Sequence, residues 1–270
     1  MILRSPAPGI RRPLTVLGLM VLLPTGLQAA EFRFTGTASA SASAKDGRVL
    51  YTETHQVTGR CEGGVFRPSE DLARYRQHSG DGPGDNGNSG EEIASKTADY
   101  NGSPLRPAVH FQQPGFDESI RIDYPEAGQV RIRWTRPNGD TKRWQIDQPK
   151  RLVVDAGFDN LVRQNWDTLK AGKTVSFRFL APTRGDYYGF DLVPENVEGI
   201  NAALEVAIKP TSTVLSFLVD PIHLGYNDRG ALTDYRGLTN IRKNADGNYN
   251  AHIRYRIDAY PDCSLLPAGE

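Results

Sequence analysis

The feature that most constrains this chain is a two-residue alternation of apolar and polar side chains, repeated along its length. It is clearest in Val130-Arg131-Ile132-Arg133-Trp134, followed by a turn signal at Asn138-Gly139 and then by Trp144-Gln145-Ile146. Successive side chains of a strand point to opposite faces, so Val130, Ile132 and Trp134 share one face and Arg131 and Arg133 the other. One buried face and one wet face describe an antiparallel hairpin.

The same design recurs. Asp246-Gly247 precedes Tyr249, Ala251, Ile253, Tyr255 and Ile257 on one face, with Asn250, His252, Arg254 and Arg256 on the other. Further strands are expected at 31–37, 49–57 after the Asp46-Gly47 turn signal, 93–100, 119–124, 174–180, 187–193, 203–209, 222–226 and 231–235. One amphipathic helix is predicted over 158–169, where Phe158, Leu161, Val162, Trp166 and Leu169 recur at helical spacing. Gly172 is its natural stop. A short second helix is expected at 212–219, before Pro221. About a dozen strands and two short helices imply a mainly β fold. The expected form is a curved antiparallel sheet or half-open β-barrel covered by one or two short amphipathic helices. Residues 80–90, rich in Gly, Asp and Asn, offer no apolar anchor and are expected to form a flexible surface loop within a single β-rich domain spanning 31–270.

The N-terminus sets the compartment. Arg4, Arg11 and Arg12 precede an apolar run from Leu14 to Leu23, then Pro24 and a small-residue end at Ala29-Ala30. A positive stretch, a short apolar core and small residues make a secretory signal peptide over residues 1–30. The expected location is the periplasm or the exterior. Removing those three arginines leaves 29 basic against 32 acidic residues, a net charge of −3. That balance gives no reason to expect nucleic acid as a partner. No second apolar run is long enough to span a bilayer, so the processed chain is not expected to be an integral membrane protein. Cys61 and Cys263 are the only cysteines. In an oxidising compartment they are candidates for a structural disulfide, and the absence of a C-x-x-C pattern argues against thiol exchange.

Catalytic and metal patterns are sparse. The acidic glycine stretch fails as an EF-hand, because Gly87 and Lys96 fall where ligands are needed. The five histidines have no ligand spacing, and there is no H-E-x-x-H or G-x-S-x-G. No metal, cofactor or catalytic residue is therefore assigned, although a dispersed hydrolase site stays open. Asp155 and Asp159, four apart at the start of the predicted helix, suit either acid–base work or stabilisation of the helix dipole. The aromatic supply says more. Most rings must fill a core, but in a half-open barrel some would line a cavity for an acyl chain or other apolar ligand. Phe158, Trp166, Phe179, Tyr187, Phe190, Phe217 and Tyr235 are the candidates.

Four segments carry a resemblance. Val154-Asp155-Ala156-Gly157-Phe158-Asp159 with Trp166, Phe179-Leu180-Ala181-Pro182-Thr183-Arg184, Leu218-Val219-Asp220-Pro221-Ile222 and Tyr235-Arg236-Gly237-Leu238-Thr239-Asn240-Ile241 resemble segments of uncharacterised exported proteins of Gram-negative bacteria. The resemblance covers roughly residues 90–257 and implies no activity. In strand count and helix placement the chain is also similar to the periplasmic lipoprotein carrier, whose curved sheet holds helices in an apolar cavity. That similarity implies a periplasmic protein binding a lipid or other apolar small molecule. The other readings are a non-enzymatic envelope accessory protein with a filled core, and a hydrolase.

Overall fold

The computed structural model describes residues 29–40, 48–78, 90–137, 139–216 and 220–267. Most of the predicted signal peptide, residues 80–89 of the predicted loop, Asn138 and Phe217 lie outside the described residues.

Among the described residues, one sheet of fifteen strands makes up the fold. Its first half comprises β1 (Ala29–Ala40), β2 (Val49–Glu62), β3 (Val65–Gln77), β4 (Glu92–Asp99), β5 (Ala108–Gln113), β6 (Glu118–Asp123), β7 (Gln129–Thr135) and β8 (Thr141–Asp147). After β9 (Leu152–Val153) come two short helices, α1 (Gly157–Gln164) and α2 (Trp166–Lys170). The second half follows as β10 (Val175–Ala181), β11 (Asp186–Pro194), β12 (Leu204–Pro210), α3 (Thr213–Ser216), β13 (Ile222–Tyr226), β14 (Leu232–Arg242) and β15 (Asn248–Ala259).

The spatial order is β8-β7-β6-β5-β4-β3-β2-β1-β15-β14-β13-β12-β11-β10-β9. Neighbours are antiparallel except β9 and β10. The two edge strands, β8 and β9, are consecutive in sequence. The five steps from Asp147 to Leu152 reach at most about 18 Å at ~3.6 Å each. The sheet must therefore curl until its edges approach, which gives a barrel that is not closed by hydrogen bonds.

The predicted hairpin is β7–β8, with Thr135 opposite Thr141. Val130 and Ile132 are fully buried and Arg131 and Arg133 exposed, as the alternation requires. Three strands escape the sequence reading: β3, β5 and β9. β3 inserts between β2 and β4, so the strands predicted at 49–57 and 93–100 are not direct neighbours. The β2–β3 connection is Gly63-Gly64, both with positive φ, as a tight two-residue hairpin turn needs. The predicted strand at 231–235 runs on to Arg242. The predicted helix over 158–169 is two helices, interrupted at Asn165, whose side chain bonds back to the Leu161 carbonyl. Of the predicted helix at 212–219, four residues are helical, and 217–219 lie outside the described residues.

The helices lie inside the curl. On β10, Ser176 and Arg178 are exposed, whereas Phe177 is buried in a cluster with Leu161, Val162 and Leu169 of α1 and α2. The chain turns inward after β9. Gly157 passes so close to the β4–β5 loop that an added Cβ would meet the Leu105 carbonyl oxygen at 2.2 Å. Asn160 donates to the Pro104 carbonyl beside it. Among the described residues no helix is long and apolar enough to cross a membrane.

Candidate functional site

The inner face is apolar towards its ends and charged in the middle. On β2, Tyr51, Glu53, His55 and Val57 face inward at period two and all are buried. Register places buried Asp71 of β3 beside them. His55 Nδ1 lies 3.1 Å from Asp71 Oδ2, and Nε2 lies 3.3 Å from Glu53 Oε1. The Tyr255 hydroxyl donates to the same Glu53 oxygen at 2.5 Å. The Phe34 ring stacks on the imidazole, with centroids 4.4 Å apart and planes 8° from parallel. Burial alone would favour neutral His55, but the charge of Asp71 and the bonds to Asp71 and Glu53 outweigh it and push its pKa up to about 9. The group is a histidinium held between two carboxylates.

A second buried pair crosses the interior. Lys96 of β4 meets Asp155 at 2.5 Å, with their side chains 7% and 12% exposed. Burial opposes the ammonium, yet Asp155 leads the charges that hold its pKa above the usual lysine value. Asp155 adopts a left-handed φ of 47° and also accepts a bond from the Ala156 N–H. The ion pair thus holds the strained residue at which the chain turns inward. Asp159, one helical turn on, accepts a bond from the Tyr226 hydroxyl at 2.8 Å. Burial raises its pKa, and Arg163, the Tyr226 bond and His55 partly restrain the rise. Burial likewise pushes up the hydroxyls of Tyr51, Tyr75, Tyr100, Tyr226, Tyr235 and Tyr255, so these phenols are neutral.

A third pair closes the interior elsewhere. Glu118 of β6 takes two bonds from the Arg242 guanidinium of β14, at 2.6 and 2.8 Å. It also accepts from Gln113 and from the Trp134 indole. β6 and β14 stand seven places apart in the sheet, so the bond spans the curl.

This arrangement defines the available chemistry. Both nitrogens of His55 are engaged by carboxylates, so the ring is not placed to take a proton from a hydroxyl. Asp155 and Asp159 answer different partners, Lys96 and Tyr226, and do not form an acid–base pair. Asp159 lies in the first turn of α1, as the helix-dipole reading expects, but the N-cap position is held by Ala156 with no side-chain capping bond.

Six of the seven aromatic candidates are described, and all six pack against the core. Phe158, Trp166, Phe179 and Phe190 pack against the buried cluster around Phe177 and Leu192. Tyr187 packs against the cluster containing Leu180, with Trp144 beside it. Tyr235 touches both clusters. Trp166 meets Tyr226 edge-on at 6.4 Å. Depressions open to solvent include ones of about 390 and 480 Å³. The first is bordered by Arg33, Arg74, Arg256 and Asp258 and reaches in to Phe34 and His55, the second is bordered by Arg229, Tyr260 and Cys263. None of the six aromatic candidates borders either one. Cys61 and Cys263 form a disulfide, with Cα atoms 5.9 Å apart.

The charged centre was not foreseen from the sequence. Its signal was nonetheless present: Glu53 and His55 share the face of Tyr51 and Val57, and Lys96 that of Ala94 and Ala98.

No family model matches this chain, and no curated protein matches it. Among solved structures it is similar to a beta-barrel-like protein of the domain of unknown function DUF1849 from Brucella abortus. The two share 10% identity at a TM-score of 0.39, over 88% of this chain and 98% of that one.

Proposed function

We propose that this chain is an exported, non-enzymatic accessory protein of the cell envelope that works through its outer surface, its interior being occupied by its own side chains. The observation that carries the reading is the interior network of Glu53, His55, Asp71, Lys96 and Asp155. A lipid chain in that space would replace the partners of buried charges, and breaking one buried pair costs about 3–5 kcal/mol. The reading is therefore preferred to an apolar ligand held by Phe158, Trp166 and their neighbours, and to a hydrolase. Export is supported by the N-terminal pattern of residues 1–30 and by the Cys61–Cys263 bond, which persists in oxidising compartments.

Native mass spectrometry of protein released gently from the periplasmic fraction tests this. The expected species is the processed chain, lacking residues 1–30 and two hydrogens, with no adduct. A stoichiometric lipid adduct, or retention of the full chain in the cytoplasmic fraction, would overturn it.

A further inference from the structure

The outer face of β5–β8 carries an arrangement that stability alone does not favour. Register sets Arg143 opposite Arg133, Arg133 opposite Arg121, and Arg121 opposite His110. All four are exposed. Like charges directly opposite on one sheet face repel. Of the three arginines only Arg121 reaches an acid, Asp123 at 3.5 Å, and Asp123 is shared with Arg131 at 2.7 Å. Arg133 and Arg143 have no acidic partner among the described residues. Several other outer arginines differ: Arg33, Arg74 and Arg256 each pair with an acid, Glu31, Glu92 and Asp258 respectively. Arg178 and Arg254 are exposed but do not stand opposite another arginine. Arg67, also exposed, stands opposite Arg60 alone, and Arg60 pairs with Glu62. What sets the rung apart is that three arginines on successive strands stand directly opposite one another, on a chain whose processed form is weakly acidic overall.

We infer that this rung is a docking surface for a linear acidic polysaccharide carrying a carboxylate on each sugar. Neighbouring strands lie about 4.8 Å apart, so the rung presents three guanidiniums on successive strands, with the His110 imidazole on the fourth, along a line crossing the strands. A chain with regularly repeated carboxylates can meet each guanidinium through paired, charge-assisted hydrogen bonds. The same face argues against other polyanions. The outer positions of β5–β8, such as Gln112, Ser119, Gln129, Thr135, Thr141 and Gln145, are polar. No Phe, Tyr or Trp stands there to make a stacking platform for nucleic-acid bases, the one ring being the His110 imidazole at the end of the rung. Nor is there an apolar wedge to anchor the face in a bilayer. The inference rests on the outer surface being the working surface. A lipid adduct would overturn that broader reading, while the titration below decides this one independently.

The test uses the full exported chain and a size-defined oligogalacturonate, titrated by calorimetry at low and physiological salt. A neutral dextran, phosphatidylglycerol vesicles and single-stranded oligothymidylate run alongside. Two triple variants lose the same charge: Arg121→Gln/Arg133→Gln/Arg143→Gln, and Arg33→Gln/Arg74→Gln/Arg256→Gln. Near-UV circular dichroism verifies that both keep the tyrosine-rich core. The expected result is salt-sensitive binding of the oligogalacturonate alone, weakened at least about tenfold in the first variant and retained in the second. Absence of binding, equal weakening in both variants, or preference for the vesicles or the oligothymidylate would each overturn the inference.

Discussion

The ring of Trp144, on edge strand β8, lies against Gly185 in the turn between β10 and β11, where an added Cβ would come within 2.3 Å of it. The two edges of the sheet therefore meet through side chains where the backbone does not pair. Leu152 and Val154, beside the other edge, are fully buried in one cluster with Val130 and Ile132. Closure by packing leaves the seam sensitive to small changes of volume.

Gly185→Ala is expected to destabilise on two counts. Its φ of 65° is one that L residues rarely adopt, and the methyl group would displace the indole. The combined cost is about 2–4 kcal/mol. Tryptophan fluorescence should shift to longer wavelength as Trp144 becomes wetter, and the midpoint of urea unfolding should fall.

The buried histidinium predicts a pH dependence with a definite sign. The folded-state pKa of His55, about 9, exceeds the ordinary 6.5. Its contribution is complete below about pH 6.5 and is lost as pH rises through 9. The melting temperature should therefore decline by several degrees between those limits, at about 2–4 °C per kcal/mol for a chain of this size. His55→Gln should lower the curve at pH 6 and flatten it over that interval. A wild-type profile level from pH 6.5 to 9 would refute the charged state. Asp159 acts with the same sign, because its raised pKa favours the folded state when the carboxyl is protonated.

Strands with large apolar residues at alternate positions were legible in the sequence, as at Val130 and Ile132 or at Ile253, Tyr255 and Ile257. β3 was not. Its inner positions include Asp71 and Ala73, and Pro68 falls where the register with β2 shifts. Pattern reading demotes such a segment, although Gly63-Gly64 was a hairpin signal ahead of it. Circular strand order was not legible either, since no local pattern tells the chain that β1 pairs with β15. The charged centre depends on that order. Glu53 and Tyr255 are 202 residues apart and meet only because β2 and β15 both flank β1. Asn165 shows a smaller limit: the apolar spacing ran unbroken through it, but its side chain competes for a helix carbonyl.

The Glu118–Arg242 bond predicts a large single-site effect. Their side chains are 3% and 11% exposed. Glu118→Ala leaves the Trp134 indole N–H without an acceptor and the Arg242 guanidinium without its counter-charge, while the Gln113 amide keeps only the Asn240 carbonyl. A cost of about 3–5 kcal/mol is expected. Glu118→Gln, which keeps an acceptor oxygen, should cost less. Urea unfolding with an unchanged slope would report this as lost stability rather than altered compactness.

The disulfide should pin the tail more than the sheet. Cys263 joins the end of β2, while Ser264 bonds to Gly64 and Phe66, and Leu265 packs with Phe32, Phe34 and Phe66. The bridge closes a loop of 202 residues, for which chain entropy gives about 5 kcal/mol. Cys61→Ser/Cys263→Ser is expected to melt lower. At temperatures where its near-UV circular dichroism stays native, limited proteolysis should first cut beyond Tyr260. Initial cleavage within β1 or β2 would mean that the bridge holds the sheet itself.

Arg133 offers the reverse prediction, a substitution that stabilises. It stands between Arg121 and Arg143 on adjacent strands, with an exposed side chain and no acidic partner among the described residues. Directly opposed like charges cost up to about 1 kcal/mol per pair, less where solvent screens them. Thr suits an exposed strand position and removes both repulsions at once. Arg133→Thr is therefore expected to raise the melting temperature by about 1–3 °C at low ionic strength. The gain should shrink as salt is added, because screening already weakens the repulsion in the parent chain. Arg74→Thr is the contrasting case, since Arg74 is paired with Glu92 at 3.0 Å and should gain nothing. A lower melting temperature for Arg133→Thr would show that the rung contributes to folding, and would remove the reason to look for an outside partner for its charge.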